Sequence, residues 1–179
     1  SVLRVLAQRL PFPVAALDLE AGARPGDLLR RALRAWQIDA RVRFHRDFDL
    51  AGFDPQRADD LAAFATAVPA MIAANHSWSG ERRLGLLIDE TELLLPRPGS
   101  PANEMTALLR CLRGLHQEEG VLALMLVGYL PTINRQNLLG ASEEQNPLFK
   151  LVGETWLDVL AADDCRQMVS NLASQASVR

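Results

Sequence analysis

Apolar and polar positions divide the chain into short buried-type runs separated by amphipathic stretches. Val2, Leu3, Val5, Leu6 and Leu10 recur at near-helical spacing until Pro11 and Pro13 end the pattern. No cap or turn precedes them, which predicts a chain that starts inside an element. Residues 14–19 read as a short buried strand, turned by Gly22, Pro25 and Gly26. A helix follows from about residue 27 to 36, with Leu28, Leu29, Ala32, Leu33 and Trp36 on one stripe. Residues 41–48 alternate apolar and polar side chains, which predicts a short exposed strand or an extended loop. From residue 56 to about 74 the helical spacing returns through Leu61, Phe64, Ala65, Val68 and Ile72. Pro69 is expected to kink or divide that helix.

The second half repeats the alternation. Residues 75–83 are a polar approach to the uninterrupted apolar run 84–88, which predicts a strand buried on both faces. Pro96, Pro98, Gly99 and Pro101 mark a loop, and Ser100 before Pro101 resembles a helix cap. Met105, Leu108, Leu109, Leu112 and Leu115 then form a helical stripe ending near Gly120. Residues 121–127 give a second strongly buried strand, closed by Gly128. The last third carries a polar loop around Gly140, a strand near Trp156, and a short helix after Asp163 bearing Cys165, Met168, Val169 and Leu172. Residues 173–179 read as a flexible tail. Strands alternating with helices predict an α/β fold with a mainly parallel sheet covered on both faces, reached by right-handed crossovers.

Composition narrows the picture. A chain of 179 residues with 49% hydrophobic content supports one domain with a substantial core. Its longest apolar run, residues 121–127, is far short of the roughly 18 residues that span a bilayer. No signal-peptide pattern is present, and the chain reads as cytoplasmic. Cys111 and Cys165 form no paired-ligand motif and read as small core residues, while His45, His76 and His116 are scattered and read as surface or loop positions. The net charge of −3 argues against a nucleic-acid surface, although seven arginines lie between residues 24 and 46. Lys150 is the sole lysine and follows Phe149, so no glycine-rich phosphate loop ending in Lys-Ser or Lys-Thr is present.

The feature with chemistry is the end of the run 84–88, where Asp89 and Glu90 stand side by side. Charge beside a core is costly unless paired, solvated or metal-bound. Two acids that merely begin a polar loop are the plain alternative. The ends of parallel strands are where ligands collect, and Gly128 closes the other strand at the same edge. Asp18 ends the earlier strand and either faces the same place or simply forms a turn.

An apolar strand ending in Asp-Glu resembles the second nucleotide motif of P-loop NTPases, in the branch that holds the STAND and AAA+ ATPases. The likeness extends over about residues 1–172, through the helix 105–115, the strand 121–127, the stretch 128–135, the segment 145–149 and Trp156. It implies a three-layer αβα P-loop NTPase-like core, N-terminally incomplete, lacking its first strand and phosphate-binding loop. By resemblance, Asp89 holds Mg2+ through water and Glu90 polarises the attacking water. Ser1 falls at or just after the phosphate loop, and Thr132, Asn134 or Arg135 supplies the contact to the terminal phosphate. For Arg135 a structural salt bridge is the competing role. The resemblance implies ATP and Mg2+ as cofactors, attached domains outside this chain as partners, and a homo-oligomer as plausible. Its function is then an ATP-driven signalling or motor switch that is inactive without the missing loop. The alternative is a degenerate nucleotide-binding fold serving as a protein-interaction module. A metal-dependent hydrolase using Asp89, Glu90 and Glu92 is a third reading.

Overall fold

The computed structural model describes residues 2–19, 24–79, 81–94, 103–128, 132–135, 137–139, 144–151 and 153–154, with 163–164, 166–167 and 170. The elements are α1 (Val2–Arg9), β1 (Val14–Asp18), α2 (Pro25–Phe44), α3 (Leu61–Ser79), β2 (Leu84–Asp89), α4 (Asn103–Arg113), β3 (Leu122–Leu126), α5 (Thr132–Arg135), β4 (Leu138–Leu139) and β5 (Glu144–Gln145). A 3₁₀ turn, Thr91–Leu94, follows β2, and a π-helical turn, Gly114–Glu118, extends α4. The expected strand near Trp156, the tail 173–179 and the cap at Ser100 lie outside the described residues.

The three longer strands form an open, all-parallel sheet in the order β1-β2-β3. The fold is α/β, as the alternation of patterns predicts. β2 is central, which explains why residues 84–88 are all buried while β1 and β3 expose alternate or edge positions. Strand alternation separates two faces. Ala15, Leu17, Leu84, Leu86, Ile88 and Leu122 face the large core built with α2, α3 and α4. Val14 and Leu87 face the other way and pack with Ala7 and Phe12 beneath α1, with Ala123 and Val127 beside them.

Trp36 anchors the large core. It is 1% exposed, lies near Phe48 and Phe64, and donates its indole N–H to the Gly85 carbonyl at 2.7 Å. On the opposite side Gly85 is required by closeness. A Cβ there would stand 2.9 Å from Val14 Cγ2 and 3.2 Å from Phe12 Cε2.

Several boundaries differ from the sequence expectation for physical reasons. Residues 41–44 are neither strand nor loop but the last turn of α2. Asp39 and Arg43 pair across one helical turn, and Arg43 also donates to the Leu10 and Phe12 carbonyls at 2.7 Å each. Asp39 in turn accepts the Val14 N–H at 2.8 Å. These bonds tie the end of α2 to the corner between α1 and β1, and basic residues suit the negative end of the helix dipole. His45 then closes α2 in a left-handed conformation, its N–H directed to the Ala40 carbonyl.

Helix α3 starts later than expected, at Leu61, where Asp60 accepts the Ala63 N–H at 3.0 Å. It continues through Pro69 and onward to Ser79, beyond the predicted end. The polar residue Asn75 is buried on it, bonded to the Asp49 and Met71 carbonyls and to the Asp49 N–H. His76 and His116 are half-buried on helical turns rather than in loops. The His116 ring Nδ1 meets the Leu122 carbonyl at 2.9 Å, a contact that requires Nδ1 to carry the proton. Cys111 packs as a core-type residue, and burial pushes its thiol up from 9.0 to about 11, so it is not a primed nucleophile.

Candidate functional site

The C-terminal edge of the sheet gathers the sequence-derived candidates. Asp18 and Asp89 are register partners at the ends of β1 and β2. By strand alternation both lie on the α1 side of the sheet, with Val14 and Leu87. Asp18 is exposed and its backbone carbonyl accepts from the Arg31 guanidinium at 2.6 Å, which fastens α2 to this edge. Asp89 is half-buried, and one carboxylate oxygen accepts the Glu90 N–H at 3.0 Å.

Glu90 does not continue the strand onto its other face. Its φ is +56°, a left-handed conformation that costs an L-residue roughly 1–2 kcal/mol. The twist throws the Glu90 side chain into solvent and turns the chain sharply into Thr91–Leu94. Two bonds join this end of β2 and the turn to Val127, the residue after β3. The Thr91 N–H donates to the Val127 carbonyl at 3.0 Å, and the Val127 N–H donates to Ile88 at 2.8 Å.

Gly128 completes the arrangement by having no side chain. A Cβ there would stand 2.5 Å from Glu92 Oε1 and 2.6 Å from Thr91 Oγ1. Thr91, buried at 2% exposure, and the half-buried Glu92 are thus members of the edge that sequence reading passed over or ranked low. The adjacent run Asp-Glu-Thr-Glu was the available signal.

The remaining candidates divide. Thr132 opens α5, and α5 packs beside the Thr91–Leu94 turn, so this segment does come to the same edge. Asn134 is 9% exposed and donates its side-chain N–H to Glu154 at 2.9 Å, while its carbonyl accepts the Lys150 N–H at 2.9 Å. Arg135 clasps the same Glu154 carboxylate with Nε, at 3.0 Å to each oxygen, and with a second guanidinium nitrogen. The guanidinium and then the Asn134 amide hold the Glu154 carboxyl below its usual range. Arg135 therefore has the salt-bridge role that competed with phosphate sensing. Nothing in the sequence marked Glu154 as its partner. Ser1 lies outside the described residues.

Among the described residues no three His, Cys, Asp or Glu side chains come together in a group that could hold a metal, Asp89, Glu90 and Glu92 included. No described helix is long and apolar enough to cross a membrane. The chain matches no protein-family model, no curated protein and no solved structure.

Chemically, the edge offers the half-buried Asp89 carboxylate, the exposed Glu90 carboxylate on a left-handed backbone, and the buried Thr91 residue next to them. Such a set can orient a water molecule or a hydrated cation. It cannot by itself surround an ion.

Proposed function

We propose that the chain is part of a P-loop NTPase-like core that binds and hydrolyses ATP with Mg2+ in a signalling or motor switch. The observation that carries this reading is the end of β2, where Asp89 and a strained Glu90 stand on the central strand of a parallel sheet. Backbone strain persists where the surroundings over-determine it, and it clusters at functional sites.

The two faces of the sheet lend further support. The crossovers β1 to β2 and β2 to β3 run over the face covered by α2, α3 and α4, whereas α1 lies on the opposite face. Right-handed connections on opposite faces advance in opposite directions along a sheet. A parallel strand leading into α1 would therefore sit beyond β3, and its connecting loop would cross the C-terminal edge near Asp89. The reading needs a phosphate-binding loop in that place, encoded before Ser1.

The residues fit the cofactor as far as they go. Magnesium is commonly held by one or two carboxylates together with substrate phosphates and water, a demand that Asp89 alone can meet on the protein side. Bound there, the ion would neutralise phosphate charge. Asp89 would orient the hydration shell through its carboxylate, and Glu90 would accept a proton from the attacking water. Asn134 and Arg135, held by Glu154, would shape the wall formed by α5 rather than touch the terminal phosphate.

Calorimetry with ATP and Mg2+ on the protein extended upstream of Ser1 tests the reading. Binding is expected, with Glu90→Gln retaining it while hydrolysis falls by about 10²–10⁴-fold. Absence of binding in the extended protein would sink the proposal. It would favour the second reading, a degenerate nucleotide fold acting as an interaction module, which the commitment of Asn134 and Arg135 to Glu154 supports.

A further inference from the structure

The outer face of α2 leaves aliphatic side chains in solvent. Ile38 and Val42 are 53% and 66% exposed and stand one turn apart, with Arg34 one turn earlier on the same stripe. Together with Arg41, Asp47 and the Phe48 ring they line an open groove of about 470 Å³ between α2 and the segment that follows it.

The charges around the groove are unequally satisfied. Arg30 is bound by Asp27 and Asp59, Arg41 by Asp47, and Arg43 by Asp39. Arg31 donates to the Asp18 carbonyl. Arg34 is exposed, and among the described residues no carboxylate pairs with it. The groove thus sets one unpaired guanidinium, Arg34, beside two exposed aliphatic residues, with its other charges, Arg41 and Asp47, paired to each other.

We propose that this groove docks an acidic amphipathic helix of a partner protein. Two apolar side chains of the partner, one turn apart, seat on Ile38 and Val42 over Phe48, and a carboxylate forms a forked pair with Arg34. The stripe from Arg34 to Val42 spans two turns, roughly 12 Å, which sets the length of the contacting segment.

Other occupants fit less well. Symmetric pairing of two copies through this face would bring two unpaired Arg34 side chains into one interface whose only lining carboxylate among the described residues, Asp47, is already bound to Arg41. Nucleic acid would find an apolar floor and an acidic rim at Asp47, with most nearby arginines already neutralised. The groove also lies on the second half of α2. Arg31 marks the helix start at the edge where the strands end, and Arg43 reaches the corner where β1 begins. A docked partner would leave Asp89 and Glu90 open, so this inference does not depend on the nucleotide reading.

Selection from a displayed library of random peptides roughly four turns long, with the native protein as bait, tests it. The expected winners carry Leu, Ile or Phe at i, i+4 spacing together with Asp or Glu. A synthesised winner should bind Ile38→Ser and Val42→Ser at least about tenfold more weakly in fluorescence anisotropy. Arg34→Glu should lose that peptide and gain its lysine-substituted version, a swap that an unfolded variant could not produce. The proposal is overturned if winners share no such pattern, if the serine variants bind equally well, or if the lysine version binds the native protein as tightly. It is also overturned if amide shifts of residues 34–42 respond only to duplex DNA or to protein concentration.

Discussion

On one face of the sheet, α2, α3 and α4 enclose Leu17, Leu86 and Ile88 around Trp36. On the other, α1 covers Val14 and Leu87 at a single shallow layer, and Met125 remains 39% exposed. The contrast separates two tasks. The deep face can exclude water and carry most of the hydrophobic stabilisation, which scales with apolar area buried. The shallow face is the one toward which Asp18 and Asp89 project, where approaching polypeptide or ligand meets charge with little cover. The deep core and the strand-end carboxylates Asp18 and Asp89 thus occupy opposite sides of the three-stranded sheet.

The sharpest way to break this contrast is Trp36→Ala. Loss of the ring from the deep face, and of the bond to Gly85, should cost about 3–5 kcal/mol in urea denaturation. A cost below about 2 kcal/mol would mean that the deep face collapses as readily as the shallow one. Arg43→Ala tests the tie between the faces. It strands Asp39 and the Leu10 and Phe12 carbonyls in a half-buried corner and should cost about 2–3 kcal/mol, with Arg43→Lys restoring only part.

Gly85→Ala probes the shallow face directly. The added methyl presses on Val14 and Phe12, and a loss of about 1–2 kcal/mol is expected, since overpacking displaces neighbours that the thin layer can partly absorb. The smallest effect should have the opposite sign. Glu90→Gly relieves the left-handed strain and should raise stability by about 1 kcal/mol while removing the outward carboxylate. An unchanged or lower melting temperature would show that the Glu90 side chain contributes to the fold as well as to the edge.

The legible parts of the molecule were those governed by local periodicity. Residues 84–88 and 121–127 read as strands because uninterrupted apolar runs have few other homes, and β2 and β3 lie there. Only β2 has the expected burial, since β3 is an edge strand in which Leu122 alone is buried and Met125 is exposed. The stripe from Leu28 to Trp36 located α2, and the strand-end rule brought Asp89 and Gly128 to one edge. Residues 41–44 misled because Arg-Val-Arg-Phe alternates like a strand. What keeps them helical is the Asp39–Arg43 pair and the carbonyls of a corner more than 30 positions earlier. Pro69 does not divide the helix, since α3 runs through it with Val68 and Ile72 packed in the large core. At the site, the two carboxylates were visible but the left-handed turn at Glu90 was not. The clasp of Arg135 on Glu154 joins elements through a distant contact that composition does not encode.

The sheet pairing bears on the order in which cost is met along the chain. Val14 pairs with Gly85, whereas Leu84 pairs with Leu122, so joining β1 to β2 closes a loop nearly twice as long as joining β2 to β3. Each doubling of loop length adds about 0.6 kcal/mol of closure entropy. The strand that comes first in the sequence is therefore the dearer one to enlist. The Arg43 clasp, by anchoring the Leu10–Val14 corner to the far end of α2, shortens the effective tether that β1 must close.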